Sequence, residues 1–468
     1  MVTRSAGLTP HPPHRSSLTT CAVFLTASIA LCSVAATAAG PAGKTPPSVE
    51  SRAAAFFKAG DYAAVITLFQ ELPPHTTASK SFLRLSLLSY VRLGRTEEAL
   101  TLYTKLTPSG QSHDATLLRP LALAVITSRV RDRQEYVRIA AYTALAELGL
   151  RETAAILDDG LLDASVLVRA RAAEAIGKAG LAANSGALRR ALGDQMPTVR
   201  IAAMTALGEA QAVDLTGRFI EIARRDEGPE SIFAAAALYR LGRTEKLADI
   251  LAAATLPDAD MRMAALGILG RLKRPATLAV LAQAVYDPLP SVRAFAAGAL
   301  GEFGSPDGVA PLTHAVGDER AMVRAVAAGS LGRLGIKETR PLLQALTRDP
   351  SLPVRASAAE GLLRLGDTSA IQLAADLARN ADPSVRGAAA QALGVTAEQH
   401  ALSILQTLLQ DQQPLPRLMA AKALATHSGA AVPALVGRLR DTDQAVQIAA
   451  AASIVQQLAR PRSSRHRP

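Results

Sequence analysis

The stretch SVRAFAAGALGEFG, residues 291–304, is apolar apart from Arg293 near its start and Glu302 near its end. Whether Arg293 marks a site or a frame depends on whether the stretch occurs once. It does not. Steps of 31 residues from Arg138 reach Arg169, Arg200, Ser231, Arg262, Arg293, Arg324, Arg355, Arg386 and Arg417, so nine of the ten positions are arginine. Valine precedes seven of them, an alanine-rich run follows each, and many runs close on a glycine such as Gly149, Gly180, Gly304, Gly335 or Gly366. A degenerate last unit, DTDQAVQIAAAASIV, starts at Asp441. Self-similarity at a fixed period of this size is the signature of a solenoid, in which each unit buries its apolar face against its neighbours.

Each unit reads as two helices. In ATLAVLAQAVYD (276–287), Leu278, Leu281 and Val285 share one helical face. Pro288 and Pro290 turn the chain, and Val292, Phe295, Ala296, Ala299, Leu300 and Phe303 then form the stripe of a second helix. Gly304 follows it, where a left-handed residue commonly ends a helix. The pattern D-x5-R-x-x-A-x-x-A-L-G resembles HEAT repeats, in the short form found in phycobilisome bilin lyases and many bacterial scaffold proteins. The resemblance covers about eleven units over residues 114–458. It implies an all-α, right-handed solenoid and a scaffold, a fold that hosts many roles.

Ahead of this array, FKAGDYAAVITLFQEL (57–72) and VRLGRTEEALTLYTKL (91–106) match at an offset of 34 residues, with Gly60 aligned to Gly94, Ile66 to Leu100 and Phe69 to Tyr103. They resemble tetratricopeptide repeats without the usual tryptophan. Residues 50–108 are therefore expected to be helical hairpins that cap the array.

The first 38 residues read as a secretory signal. Arg4 and Arg15 supply the positive region, CAVFLTASIALCSVAA (21–36) the apolar core, and Ala36-Thr37-Ala38 a cleavage site before Ala39. An uncleaved anchor and an organelle transit peptide are the alternatives. Residues 39–49 read as a linker, and residues 459–468 as a basic disordered tail with a weak affinity for anionic surfaces. Both cysteines, Cys21 and Cys32, lie in the leader, which leaves the mature chain without disulfides, thiolate metal sites or a cysteine nucleophile. A periplasmic or secreted location follows as the expectation.

The net charge of +11 is concentrated at the ends. Without Arg4, Arg15 and the four arginines of the last nine residues, about +5 remains on the body. Together with the export signal, this argues against nucleic acid as a partner. No His-Glu dipeptide of the kind that HEAT-type deoxyhypusine hydroxylases use for iron occurs, nor any H-E-x-x-H, phosphate loop, dinucleotide loop or G-x-S-x-G elbow. His113-Asp114 is a single pair in a turn. The sequence therefore predicts no catalytic residue, no cofactor and no metal.

An aspartate stands six residues before most of the arginines, as in Asp287–Arg293, Asp318–Arg324 and Asp349–Arg355. It can cap the second helix, and the arginine can reach an aspartate of its own or of the adjacent unit, forming a structural ladder. Two units break the pattern. Ser231 replaces arginine with Arg225 six residues before it, and Arg262 has Leu256 at the aspartate position, which predicts a looser or bent array there. The variable positions are the candidate site. Five residues past the arginine stand Gly267, Gly298 and Gly329, and nine past it stand Arg240, Arg271, Glu302, Arg333 and Arg364. These predict a groove across units four to eight that admits the backbone of an extended, acidic protein partner. Helix-end arginines and tightly packed glycines account for the same residues without a ligand. The alternative function is an accessory or lyase-like binder of a small anionic ligand.

Overall fold

The computed structural model describes residues 48–73, 75–108, 112–225, 228–427 and 429–459. The proposed signal at 1–38, most of the linker and the basic tail lie outside the described residues. Helix α1 (Val49–Ala59) starts directly after its cap Ser48, and α2 (Tyr62–Gln70), α3 (Lys80–Arg92) and α4 (Thr96–Leu106) complete two hairpins. Gly60 and Gly94 turn between the paired helices at φ 81° and 71°. His113 and Asp114 lie in the turn that follows. Asp114 caps the next helix and pairs with Arg84, while His113 Nδ1 lies 2.8 Å from the Tyr103 hydroxyl. Burial pushes the Tyr103 hydroxyl up to about 12.

Eleven further hairpins follow among the described residues: α5 (Ala115–Thr127) and α6 (Glu135–Leu148), α7 (Ala154–Gly160) and α8 (Val166–Lys178), α9 (Gly186–Ala191) and α10 (Pro197–Glu209), α11 (Thr216–Arg225) and α12 (Pro229–Arg240), α13 (Lys246–Ala253) and α14 (Ala259–Leu272), α15 (Leu278–Gln283) and α16 (Pro290–Phe303), α17 (Val309–Ala315) and α18 (Ala321–Leu334), α19 (Arg340–Leu346) and α20 (Leu352–Arg364), α21 (Ala370–Leu377) and α22 (Pro383–Leu393), α23 (Gln399–Leu408) and α24 (Pro414–Ala423), α25 (Val432–Arg438) and α26 (Gln444–Ala459). Each second helix packs on the second helix of the next unit. Small side chains set this spacing. A Cβ on Gly301 would lie 2.7 Å from Ser330 Cβ of the following unit. The glycine that closes the A-L-G motif is thus what lets adjacent backbones approach.

The arginine ladder joins units. Arg293 donates from Nε to Oδ2 of Asp318 (2.6 Å) and from Nη2 to Oδ1 (3.0 Å), and Arg324 makes the same bidentate pair with Asp349 (2.8 and 3.0 Å). Arg262 and Asp287 match them. The remaining Nη1 returns to the arginine's own turn, where it donates to the carbonyls of Asp287 and Pro288 in the case of Arg293. Each aspartate also accepts a backbone N–H two residues on, as Asp349 does from Ser351. One side chain therefore ties a helix start to its own turn and to the next, and such planar, charge-assisted pairs are the strong ones.

The irregular rungs have separate causes. Arg200 reaches Glu230 at 2.6 Å, a glutamate inside the next second helix, so this rung persists without an aspartate. Among the described residues the Ser231 hydroxyl donates to the Gly228 carbonyl of its own turn and reaches no neighbouring unit, and α12 and α14 have the least contact of any neighbouring second helices. One of the two expected losses is therefore real and the other is compensated. Arg355 departs from the predicted ladder. The residue 25 positions on is Asn380, and the Arg355 Nε is buried without an acceptor. Asn380→Asp keeps the acceptor that Asn380 Oδ1 offers to the Asp382 N–H and adds a carboxylate for Arg355. It is expected to stabilise the fold by about 1–3 kcal/mol, as for hydrogen bonds to charged groups, in urea unfolding.

The solenoid is cyclic. Helix α26 packs against α5 and α6, and its packing on α6 is the contact that every other second helix makes with the second helix of the unit after it. Gln447, six residues after Asp441, holds the arginine position and bonds the Asp441 carbonyl as the arginines bond theirs. Its Oε1 accepts from Arg129 Nη2 at 3.0 Å, and Arg129 lies 3.8 Å from Asp132. Gln447, Arg129 and Asp132 together replace one arginine–aspartate rung and join the last unit to the first. Helices α3 and α4 pack on α5, and Arg440 of the last unit donates to Thr101 Oγ1 of α4 at 2.6 Å. The N-terminal hairpins thus cover the first unit and reach the last.

Candidate functional site

The stripe five and nine residues past each ladder position forms one continuous face of the second helices. At the junction of the last and first units it lines a shared recess, with Thr143, Lys422 and Ala452 from the fifth positions and Glu147 and Gln456 from the ninth. Large apolar side chains border the same stripe toward the helix starts. Tyr136, Leu167, Met322 and Phe295 are all at least two-fifths exposed.

The predicted glycine trough does not extend over Gly267. The Phe295 ring occupies the space above Gly267, where an added Cβ would meet it at 3.1 Å. Gly298 and Gly329 are different. An added Cβ finds only Val326 Cγ1 and Arg333 Nη1, each at 3.6 Å, which is ordinary contact. No clash therefore requires glycine at either position, and their cost of about 1 kcal/mol each in a helix has no packing requirement behind it.

The arginines fall into two sorts. Arg240 lies 3.4 Å from Glu209, and Arg364 makes a 2.9 Å pair with Glu360. Glu360 is buried and also accepts from Gln391, so it holds Arg364 as part of the frame. Its place in the variable column, with Arg364 four residues later, is the sequence signal for such a pair. Arg271 has no acidic partner among the described residues, and Arg333 donates only to Ser330 Oγ at 2.6 Å. Burial, then the field of Arg364, lowers the Arg333 pKa, against the opposing pull of Glu360 and Glu302. Arg240 is lowered by burial, with Arg271 adding to it. Successive arginines thus feel one another along the stripe, and this electrostatic arrangement favours an incoming anion. Glu302, exposed between Arg271 and Arg333, limits the field to two separate points.

Residues 278–343 and 339–425 match the family description HEAT repeats. Residues 278–425 of the array are therefore similar to HEAT repeats. Among solved structures, the HEAT array is similar to human deoxyhypusine hydroxylase in complex with glycerol, at 20% identity and a TM-score of 0.31 over 54% of this chain and 98% of that one. It is similar to the complex of CpcE and CpcF of phycocyanin lyase from Nostoc, at 18% identity and a TM-score of 0.36 over 51% and 94%. It is also similar to Kap121p bound to Nup53p, at 14% identity and a TM-score of 0.33 over 79% and 54%. None of these similarities bears on activity. No curated protein matches the sequence significantly. Among the described residues, no group of three or more His, Cys, Asp or Glu is placed to hold a metal ion, and no helix is long and apolar enough to cross a membrane.

Proposed function

We propose that this HEAT-repeat protein is an exported, non-catalytic adaptor that holds an extended, acidic segment of a protein partner along the inner stripe of its second helices. The observation that carries the reading is the coincidence, on α14 to α18, of the partly exposed Gly298, which no packing contact requires, with Arg271, which has no acidic partner among the described residues, and the weakly tied Arg333. A partner main chain passes over Gly298, its carboxylates meet the arginines, and its apolar side chains meet Phe295 and Met322. Export rests on the leader, and N-terminal sequencing of the mature chain is expected to begin at Ala39.

The test uses a fluorescent peptide of alternating glutamate and leucine. It is expected to bind the full chain, and Arg271→Glu with Arg333→Glu is expected to weaken binding by about tenfold or more while helicity is unchanged. Equal binding by the double variant sinks the groove. The second reading, an accessory or lyase-like binder of a small anionic ligand, is favoured by one observation, the recess between the last and first units that Lys422 lines.

A further inference from the structure

The recess has a volume of about 280 Å³ and is bounded by α24, α26 and α6. Its floor is α26, whose inward residues are small: Ala445, Ala449 and Ala452 beside Ile448. Because this helix presents so little side chain, groups from the units on either side meet above it. Lys422 Nζ of unit ten lies 3.1 Å from Glu147 Oε1 of unit one, bypassing unit eleven. The pair forms a strap across the mouth, and its side chains retain 43% and 40% exposure. Thr143 and Gln456 complete the polar edge. The site is thus an apolar pocket near the lower end of the size range of small-molecule sites, with one cation and one anion side by side at its opening.

That arrangement selects by charge. A lone carboxylate meets Lys422 but also the repulsion of Glu147, and a lone amine meets the reverse. A purely apolar molecule cannot use the pair at all. A zwitterion with adjacent ammonium and carboxylate groups inserts between the two, trading one exposed ion pair, which contributes little by itself, for two charge-assisted contacts. We infer that the recess between units ten, eleven and one binds a free α-amino acid with an apolar side chain of leucine or phenylalanine size. The ammonium donates to Glu147, Lys422 donates to the carboxylate, and the side chain lies on the alanine floor of α26. This site is separate from the groove on α14 to α18, so either stands if the other fails.

The test is thermal unfolding and calorimetric titration of the full chain with L-leucine, 4-methylpentanoate, 3-methylbutylamine and N-acetyl-leucine. L-leucine is expected to raise Tm saturably, because it binds the folded state alone, and the three analogues are expected to leave Tm unchanged. Ala449→Leu, which fills the recess and keeps the strap, is expected to abolish the response. Glu147→Gln is expected to weaken leucine binding about tenfold. Arg271→Glu with Arg333→Glu is expected to retain it. The inference is overturned if leucine has no effect, if 4-methylpentanoate or N-acetyl-leucine matches it, or if Ala449→Leu responds like the parent.

Discussion

Arg324→Ala is expected to lower the unfolding free energy by about 3–5 kcal/mol, the usual cost of removing one partner of a buried ion pair. The substitution strands Asp349, whose side chain is 7% exposed, and removes the bonds from Arg324 to the carbonyls of Asp318 and Glu319. Arg355→Ala changes the same motif letter one unit later and is expected to cost far less, because Arg355 has no carboxylate to strand. Urea unfolding of the two variants side by side makes the comparison, and equal costs contradict the ladder as drawn. The pH dependence has a definite sign. The hydrogen bond from Arg324 holds the Asp349 carboxyl below the usual carboxylate range, against the effect of burial. The stability this supplies is present above the unfolded carboxylate value and is lost as pH falls through the folded one. The gap between Arg324→Ala and the parent is therefore expected to close in acid.

Val455→Glu is expected to open the ring without unfolding the units. Val455 is 1% exposed on α26, the helix that meets α5 and α6, and a charge there has no partner to offset its desolvation. Separation of the last unit from the first returns it to water. Spin labels replacing Tyr136 on α6 and Leu415 on α24 report the event, because both positions are exposed and only α26 stands between their helices. Two helix spacings place the labels roughly 16–20 Å apart when the ring is closed. The variant is expected to give a longer, broader distribution with its helical circular dichroism retained. An unchanged distance means the closure tolerates a buried charge and is stronger than its contacts indicate.

The 31-residue period and the Asp–Arg pairs were legible because a repeated frame writes the same residues each time. The direction of the pairing, from the arginine to the next unit, was left open by spacing alone and is settled by the hydrogen bonds. Departures were harder to read for a physical reason: a frame contact can be kept by different letters. Glu230 does the work of an aspartate from a different position, and Gln447 with Arg129 replaces an arginine across more than three hundred residues. Asn380 looks like a near-match to aspartate in a turn, yet it leaves Arg355 unserved. Closure itself left one trace in the sequence. A terminal unit facing water needs a polar outer face, and IAAAASIV in α26 has none, being buried from Val446 to Val455. In the candidate groove, the sequence marked a column of three glycines but did not show that Phe295 fills the place above one of them, since that side chain comes from the next unit.

An open array of this kind unravels from its ends, where a unit has one neighbour to leave behind instead of two. Here every unit has two, so releasing any of them breaks two interfaces at once. Amide hydrogens in α6 and α26 should then exchange no faster than those in α16, and the slow-exchanging set should run around the whole circuit with no frayed boundary.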